Sequence, residues 1–189
     1  MKQFFIIAGC NGCGKTTLYK SSFIPKDIPF VNFDNIARDE LDIKNQYKQE
    51  ISFKNFIKTG KIVMSRIANS IERNISFVIE VTSISSTLIN YINEANQRGY
   101  QILVFFVSVE SYETAYRRVL LRSEAGGHYV SKDIVKSRYE RCFDTLIKSM
   151  NIIDYTFFFD NTDTLKIFSV YNKKKPLYVL SEKPSWFTL

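Results

Sequence analysis

The stretch Gly9-Cys10-Asn11-Gly12-Cys13-Gly14-Lys15-Thr16 decides the fold of this chain. It fits the pattern G-x-x-x-x-G-K-[ST], which is the phosphate-binding loop (P-loop) of nucleoside-triphosphate-binding proteins. The apolar run before it, residues 4–8, is typical of a buried parallel strand. The residues after it, 16–22, predict a helix, so the motif lies in the strand–loop–helix context that it requires.

The residue types of the loop suit an anion. Glycines let the backbone wrap closely around phosphate, so that several N–H groups and the start of the next helix point at it. Lys15 supplies a cation for the β- and γ-phosphates, and the Thr16 hydroxyl can ligate Mg²⁺. We therefore expect ATP or GTP to contact the following residues: Gly9, Asn11, Gly12, Cys13, Gly14, Lys15, Thr16 and Thr17.

Length and composition indicate one domain with a tail. The chain has 189 residues, of which 45% are hydrophobic, so it can bury a sizeable core. We find no apolar stretch long enough for a transmembrane helix and no signal-peptide layout, and we expect a cytoplasmic protein without membrane contact. Cys10 and Cys13 form a C-x-x-C inside the loop, where we expect reduced thiols and no metal.

The net charge of +7 suits a protein that handles phosphorylated ligands. Contact with nucleic acid is the alternative explanation. The longest basic run is only Lys173-Lys174-Lys175 near the end of the chain, and a solvated tail explains it. We therefore do not expect nucleic acid as a partner.

Strand patterns alternate with helix patterns along the chain. The strand patterns lie at residues 4–8, 29–33, 77–79, 102–107 and 155–159, with 102–107 as the central strand. We expect the stretch 39–59 to be helical in part, and residues 61–73 to form a helix. This alternation predicts an α/β fold with an about five-stranded, mainly parallel sheet and helices on both faces. Residues 165–189 are expected to add an edge hairpin or a docked tail.

Acidic residues follow three of the predicted strands, where ligands bind in such sheets. Asp34 is the candidate general base, since phosphoryl transfer needs a carboxylate that accepts the proton of a hydroxyl. Its alternative role is the N-cap of the helix at Ile36. Glu80 can hold Mg²⁺ through water or bind substrate hydroxyls together with Thr82, and its alternative role is a structural cap.

Five arginines flank the turn Ala125-Gly126-Gly127-His128: Arg117, Arg118, Arg122, Arg138 and Arg141. Two helices that carry arginines and meet at a glycine turn predict a helical lid over phosphates, because guanidinium groups stabilise the charge of a transferring phosphoryl group. We expect at least two of them to reach phosphate, with Arg122 and Arg138 favoured. The alternative is a set of solvated arginines paired with Glu124 and Glu140. We expect His128 to be structural.

Several of these stretches line up with one family. They are residues 8–17, Val31-Asn32-Phe33-Asp34-Asn35-Ile36-Ala37, Phe77-Val78-Ile79-Glu80-Val81-Thr82, residues 99–102, Arg118-Val119-Leu120-Leu121-Arg122, Gly126-Gly127-His128-Tyr129-Val130, Arg138-Tyr139-Glu140-Arg141 and Asp160-Asn161-Thr162. On these residues the chain resembles the zeta-toxin-like P-loop kinases over residues 3–163. The arginine–Gly-Gly-His–arginine block is the most specific part of the match.

The resemblance implies an ATP-dependent kinase, with a P-loop kinase domain at 1–171 and a tail or edge hairpin at 172–189 packed on it. Characterised members phosphorylate a hydroxyl of UDP-N-acetylglucosamine and act as toxins, which implies a sugar-nucleotide acceptor and an antitoxin partner.

The resemblance also implies roles for single residues. Asp34, Lys15, Arg122 and Arg138 would be catalytic; Thr16 and Glu80 would hold Mg²⁺; Arg118, Asp160 and Asn161 would contact ATP; Asp34, Glu80, Thr82 and Arg141 would face the acceptor. Val81 and Ser131 depart from the family pattern, where Thr and Pro are usual. The other functions considered are a nucleoside or polynucleotide 5′-hydroxyl kinase and a non-catalytic ATP-dependent binding module.

Overall fold

A computed structural model describes residues 1–41 and 51–189; residues 42–50, the middle of the stretch 39–59, lie outside the described residues. One sheet forms the centre of the molecule, with the strand order β2-β3-β1-β4-β5-β6-β7. The first five of these strands are parallel, and β6 and β7 are antiparallel to their neighbours. The strands are β1 (Gln3–Ala8), β2 (Phe30–Asn32), β3 (Phe77–Val81), β4 (Gln101–Ser108), β5 (Tyr155–Asp160), β6 (Lys166–Asn172) and β7 (Lys175–Val179).

The helices lie between the parallel strands, as crossover connections require. They are α1 (Lys15–Lys20), α2 (Phe33–Leu41), α3 (Phe53–Glu72), α4 (Ser86–Gln97), α5 (Tyr112–Glu124) and α6 (Lys132–Ser149), and a 3₁₀ turn at Met150–Ile152 follows α6. The predicted α/β class, the mainly parallel sheet and the central position of β4 are confirmed.

The start of α3 and the number of strands differ from those predicted. α3 begins eight residues earlier than the apolar pattern indicated, because the Ser52 hydroxyl accepts the N–H of Asn55 and caps the helix. The sheet has seven strands, since residues 166–179 form an antiparallel edge hairpin. The boundary predicted at residue 171 falls inside β6, and the division into 1–171 and 172–189 stays a prediction.

The two faces of the sheet are covered unequally. One face packs against α2 to α6 through side chains such as Ile36, Ile67, Ile92, Val119 and Leu146. The other face is covered by α1 and the segment after it, through Leu18 and Ile24. Both apolar layers hold the parallel strands in place, and the carboxyl ends of those strands form one edge of the sheet.

The C-terminal segment returns to the first of these faces. Phe187 is only 7% exposed, and its ring lies 4.9 Å from Phe158 and 5.0 Å from Phe168, measured between centroids. Phe143 and Trp186 complete this aromatic cluster. The last residues of the chain are therefore part of the core packing. Among residues 1–41 and 51–189, no helix is long and apolar enough to cross a membrane.

We expect Phe187→Ala to lower the free energy of unfolding by about 3 kcal/mol, since it removes a buried aromatic ring and leaves a cavity. Leu180→Ala is the matched control in the same segment, because Leu180 is 56% exposed and its truncation should cost less than about 0.5 kcal/mol. Urea unfolding of both variants measures the difference. Equal effects of the two truncations would contradict the docking of this segment.

Candidate active site

The carboxyl ends of β1, β3 and β5 open onto one cavity of about 330 Å³. The lining residues are Gly12, Gly14, Lys15, Thr16, Thr17, Glu80, Arg118, Arg122 and Asn161. The cavity therefore combines the P-loop with an acidic strand end and with arginines of α5, which the sequence predicted to meet.

The P-loop has a backbone that only glycine adopts without strain at three of its positions, Gly9, Gly12 and Gly14. Gly12 and Gly14 have φ angles of 82° and 103°. A side chain at Gly12 would collide with the carbonyl oxygen of Ala115, and one at Gly14 with the amide of Asn161. The loop is thus packed against α5 and the end of β5, with its backbone exposed to the cavity.

Lys15 is nearly buried, at 8% exposure, and its amine has three oxygen partners. The amine donates to the carbonyl oxygens of Gly9 at 2.9 Å and Cys10 at 3.1 Å. It also lies 3.8 Å from the Glu80 carboxylate. The loop backbone therefore fixes the Lys15 ammonium group at the cavity, next to the Glu80 carboxylate near the end of β3.

Burial has the largest influence on the pKa of Glu80. It raises the pKa of this carboxyl above its ordinary range, and the positive charge of Lys15 opposes the shift. The carboxylate of Asp34 raises the pKa further, whereas Arg122 and a hydrogen bond with Asn32 lower it. Glu80 thus lies in the electrostatic field of both the P-loop and the start of α2.

Asn32 has a structural role that the sequence alone did not indicate. It pairs with Glu80 in the register of β2 and β3. Its side-chain oxygen accepts the N–H of Asn35 at 2.9 Å, which caps α2. The alternative role of Asp34 as that cap is therefore wrong, since Asp34 lies in the first turn of a helix that Asn32 already caps. Asp34 is partly exposed and is absent from the cavity lining.

Arg118 and Arg122 line the cavity from α5, one turn apart. Arg118 donates to the carbonyl oxygens of Asn161 at 2.8 Å and Thr162 at 2.7 Å. Arg122 donates to the carbonyl oxygen of His128 at 3.0 Å, across the glycine turn. Carbonyl oxygens fix both guanidinium groups without neutralising them, so their charge remains available to an anion.

Arg138 and Arg141 of α6 behave differently. Arg138 donates to the side-chain oxygen of Asn11 in the P-loop, at 2.7 Å. Arg141 is exposed and bonds Ser137 of its own helix at 2.6 Å and 3.1 Å, and it is absent from the cavity lining. The predicted contact of Arg141 with an acceptor therefore has no support from this geometry and stays a prediction.

The arginine-bearing helices are tightly packed by their apolar faces. Ala115 and Val119 of α5 and Val135 of α6 are fully buried, and the thiol of Cys10 donates to the carbonyl oxygen of Val135. In the connection between the two helices, residues 124–126 are exposed and residues 127–129 are partly buried. Ser131 begins α6 as its N-cap residue, although its hydroxyl makes no capping hydrogen bond.

The remaining predicted residues lie around the same edge. The side-chain amide of Asn161 donates to the carbonyl oxygen of Cys13 at 2.9 Å, which ties the end of β5 to the P-loop. Asp160 accepts hydrogen bonds from Thr162 and Trp186 instead of lining the cavity. Thr82 follows β3 directly and is partly buried. The bonds of Asn161 and Trp186 connect distant segments, and no local pattern in the sequence signals them.

The donor set fits a magnesium-bound nucleoside triphosphate. Gly12 and Gly14 leave room for an anion against the backbone, and Lys15 offers a fixed cation. Thr16 and Glu80 supply oxygen atoms at the cavity, and Mg²⁺ prefers oxygen ligands. No cluster of three or more His, Cys, Asp or Glu side chains occurs among the residues that the structure describes, so phosphate oxygens and water would complete the coordination.

The parallel sheet, the P-loop at its carboxyl edge and the arginines opposite define a P-loop kinase, an enzyme that transfers a phosphoryl group. Residues 2–176 match the family model described as zeta toxin. The chain therefore belongs to the zeta toxin family, as the arginine block predicted.

The chain is also similar to a curated protein and to solved structures. An uncharacterized protein of Haemophilus influenzae is 27% identical over 132 residues, which are 69% of this chain and 88% of that protein. The PezAT toxin–antitoxin system of Streptococcus pneumoniae contains a chain with a TM-score of 0.64 and 14% identity, covering 98% of this chain and 75% of that one. The AvrRxo1-ORF1:-ORF2 complex with ATP has a TM-score of 0.66 and 15% identity, covering 95% and 60%. At such identities these structures show a shared fold.

The raised pKa of Glu80 predicts how stability depends on pH. The folded protein holds the Glu80 proton more tightly than the unfolded chain, whose glutamate has a pKa of about 4.3. The stabilisation is complete below that value and is lost as the pH rises through the folded pKa, by about 1.4 kcal/mol per pH unit within this window.

Glu80→Gln isolates this contribution, because glutamine does not titrate. We expect the free energy of unfolding of the wild type, relative to Glu80→Gln, to decline as the pH rises from the unfolded pKa of about 4.3 through the raised pKa of the folded protein. Urea unfolding without nucleotide at several pH values measures it. A difference that stays constant over this range would contradict the raised pKa, whatever the offset between the two proteins.

Proposed function

We propose that this protein transfers the γ-phosphoryl group of ATP to a hydroxyl group of a small molecule, and that the acceptor is a sugar nucleotide such as UDP-N-acetylglucosamine. The observation that carries the proposal is a set of charged groups at the carboxyl edge of the sheet. Lys15 and Glu80 line the cavity 3.8 Å apart, and Asp34, in the first turn of α2 after β2, acts on the pKa of Glu80. Such a set offers a cation for the phosphates and a base for an acceptor.

The phosphates of ATP would lie on the P-loop backbone, with Lys15 between the β- and γ-phosphates. Phosphate oxygens would then replace Glu80, whose carboxylate lies 3.8 Å from the amine, as the nearest anion to it. Thr16 and Glu80 would hold Mg²⁺, Glu80 through water. The metal would neutralise the charge that develops on the β- and γ-oxygens during transfer.

Asp34 would accept the proton of the acceptor hydroxyl. The hydroxyl oxygen forms a bond to the γ-phosphorus while the bond to the leaving ADP oxygen breaks, and the proton moves to the carboxylate. Because Asn32 already caps α2, the Asp34 carboxylate is not required for that structural task.

Arg118 and Arg122 would bind the triphosphate, and Arg122 and Arg138 would stabilise the phosphoryl group in transfer. Arg122 is held by the backbone of the glycine turn, so a shift of residues 125–131 would carry its guanidinium toward or away from the phosphates. Arg138 already contacts Asn11 at the outer rim of the P-loop. Both arginines could therefore act without a large rearrangement of the packed helices.

The acceptor and the partner follow from family membership alone. The zeta toxin family and the similarity to a chain of the PezAT toxin–antitoxin system support a sugar nucleotide, a toxic activity and a protein antitoxin. The +7 charge and the similar fold of a chain in the Pnkp1/Rnl/Hen1 RNA repair complex support the alternative acceptor, a nucleoside or polynucleotide 5′-hydroxyl. We propose the cytoplasm as its location.

We expect Asp34→Asn to reduce phosphoryl transfer by about 10²- to 10⁴-fold, the usual contribution of a positioned base. ATP affinity should stay within about twofold, because the amide leaves the P-loop untouched. Asp39→Asn is the matched control, since Asp39 lies on the same helix, is exposed and pairs with Arg38 at 2.7 Å. Normal turnover by Asp34→Asn would refute the role of Asp34 as the base.

The acceptor is identified by incubating the purified protein with Mg-ATP and a panel of nucleotide sugars, nucleosides and 5′-hydroxyl oligonucleotides. Mass spectrometry detects the addition of one phosphate. A product on UDP-N-acetylglucosamine supports the proposed acceptor, and a product on an oligonucleotide or nucleoside supports the alternative. ATP binding without any product supports the binding module.

A further inference from the structure

Trp186 is the only tryptophan of the chain, and its position joins the C-terminal segment to the active-site edge. Its ring packs against the aromatic cluster, with centroid distances of 5.5 Å to Phe168 and 6.0 Å to Phe143. Its indole N–H donates to the Asp160 carboxylate at 2.8 Å. Asp160 is the last residue of β5, so a segment 26 residues later along the chain holds the end of this strand.

The Asp160 carboxylate connects Trp186 to the loop after β5. The oxygen that accepts from Trp186 also accepts from the Thr162 hydroxyl, at 2.9 Å. The same Thr162 hydroxyl accepts the backbone N–H of Glu110 at 3.1 Å, which connects the loop to the end of β4. Residues 160–162 are therefore fixed by side-chain hydrogen bonds on the side that faces the C-terminal segment.

The opposite side of the same loop contacts the nucleotide cavity. Asn161 lines the cavity and donates to the Cys13 carbonyl of the P-loop. Arg118 lines the cavity too, and its two hydrogen bonds end on the carbonyl oxygens of Asn161 and Thr162. A continuous set of hydrogen bonds thus runs from Trp186 through residues 160–162 to the P-loop and to Arg118.

We propose that Trp186 is a positioning residue for ATP binding: its N–H fixes Asp160, and through residues 160–162 it sets Asn161 and Arg118 at the cavity. The inference rests on the proposed binding of ATP in this cavity. It assigns the C-terminal segment a task beyond core packing. The packing itself is done mainly by Phe187, which is buried, while Trp186 is only partly buried and directs its polar atom at a carboxylate.

Trp186→Phe separates the hydrogen bond from the packing, because phenylalanine keeps an aromatic ring and lacks the N–H. We expect the Kd for Mg-ATP, measured by calorimetry on the full chain, to rise by at least about fivefold, since hydrogen bonds to charged groups are among the stronger ones. Phe187→Leu is the matched control. It loses ring packing in the same segment, and we expect a larger fall in thermal stability with a Kd within about twofold of the wild type.

The outcomes distinguish the inference from the proposed function. A wild-type protein that does not bind Mg-ATP overturns both. A wild type that binds, with an unchanged Kd in Trp186→Phe, overturns only the inference. Equal weakening by Trp186→Phe and Phe187→Leu also overturns it, because the segment would then act by packing alone.

The single tryptophan offers an independent readout in the unmodified protein. We expect the intrinsic fluorescence of Trp186 to change on addition of Mg-ATP with the same midpoint as the calorimetric curve, because the nucleotide contacts the loop that the indole holds. Fluorescence that is insensitive to a saturating, calorimetrically bound nucleotide would contradict the coupling.

Discussion

The Lys15 amine carries a positive charge into a nearly buried position, and three oxygen atoms around it compensate for lost water. Two are loop carbonyls and the third belongs to Glu80. A buried ammonium without such partners would be strongly destabilising or would lose its proton. The loop must therefore turn its carbonyls of Gly9 and Cys10 toward the lysine.

The order of the strands brings the other groups of the site to the same edge of the sheet as the P-loop. β1 lies between β3 and β4, so the P-loop emerges next to the end of β3, where Glu80 is located. β2 lies beyond β3, and its register pairs Asn32 with Glu80. Two residues later the chain has reached Asp34. Because the strands are parallel, all of these groups come from the same edge, although they are separated by many residues along the chain.

The sequence was sufficient for those parts of the fold that depend on local pattern. The P-loop, the parallel strands and the arginines of α5 could be predicted because spacing alone defines them. The hairpin of β6 and β7 was only one of two alternatives for residues 165–189, since residues 166–179 mix lysine, proline and apolar side chains without clear alternation, and β7 is exposed throughout. The cap by Asn32, the bond of Asn161 to the P-loop and the contact of Trp186 with Asp160 depend on distant packing, which no short window of sequence contains.

Part of the positive charge of the chain lies at the cavity. Three cations, Lys15, Arg118 and Arg122, line the cavity, against one carboxylate, that of Glu80, among the residues that the structure describes there. Arg118 and Arg122 are held by carbonyl oxygens, which satisfy their N–H groups and leave their charge intact. A low-dielectric cavity strengthens the resulting field. An excess of positive charge concentrated at one concave edge suits a compact, multiply charged anion such as a triphosphate, whereas an extended nucleic acid strand is bound along a broader basic surface.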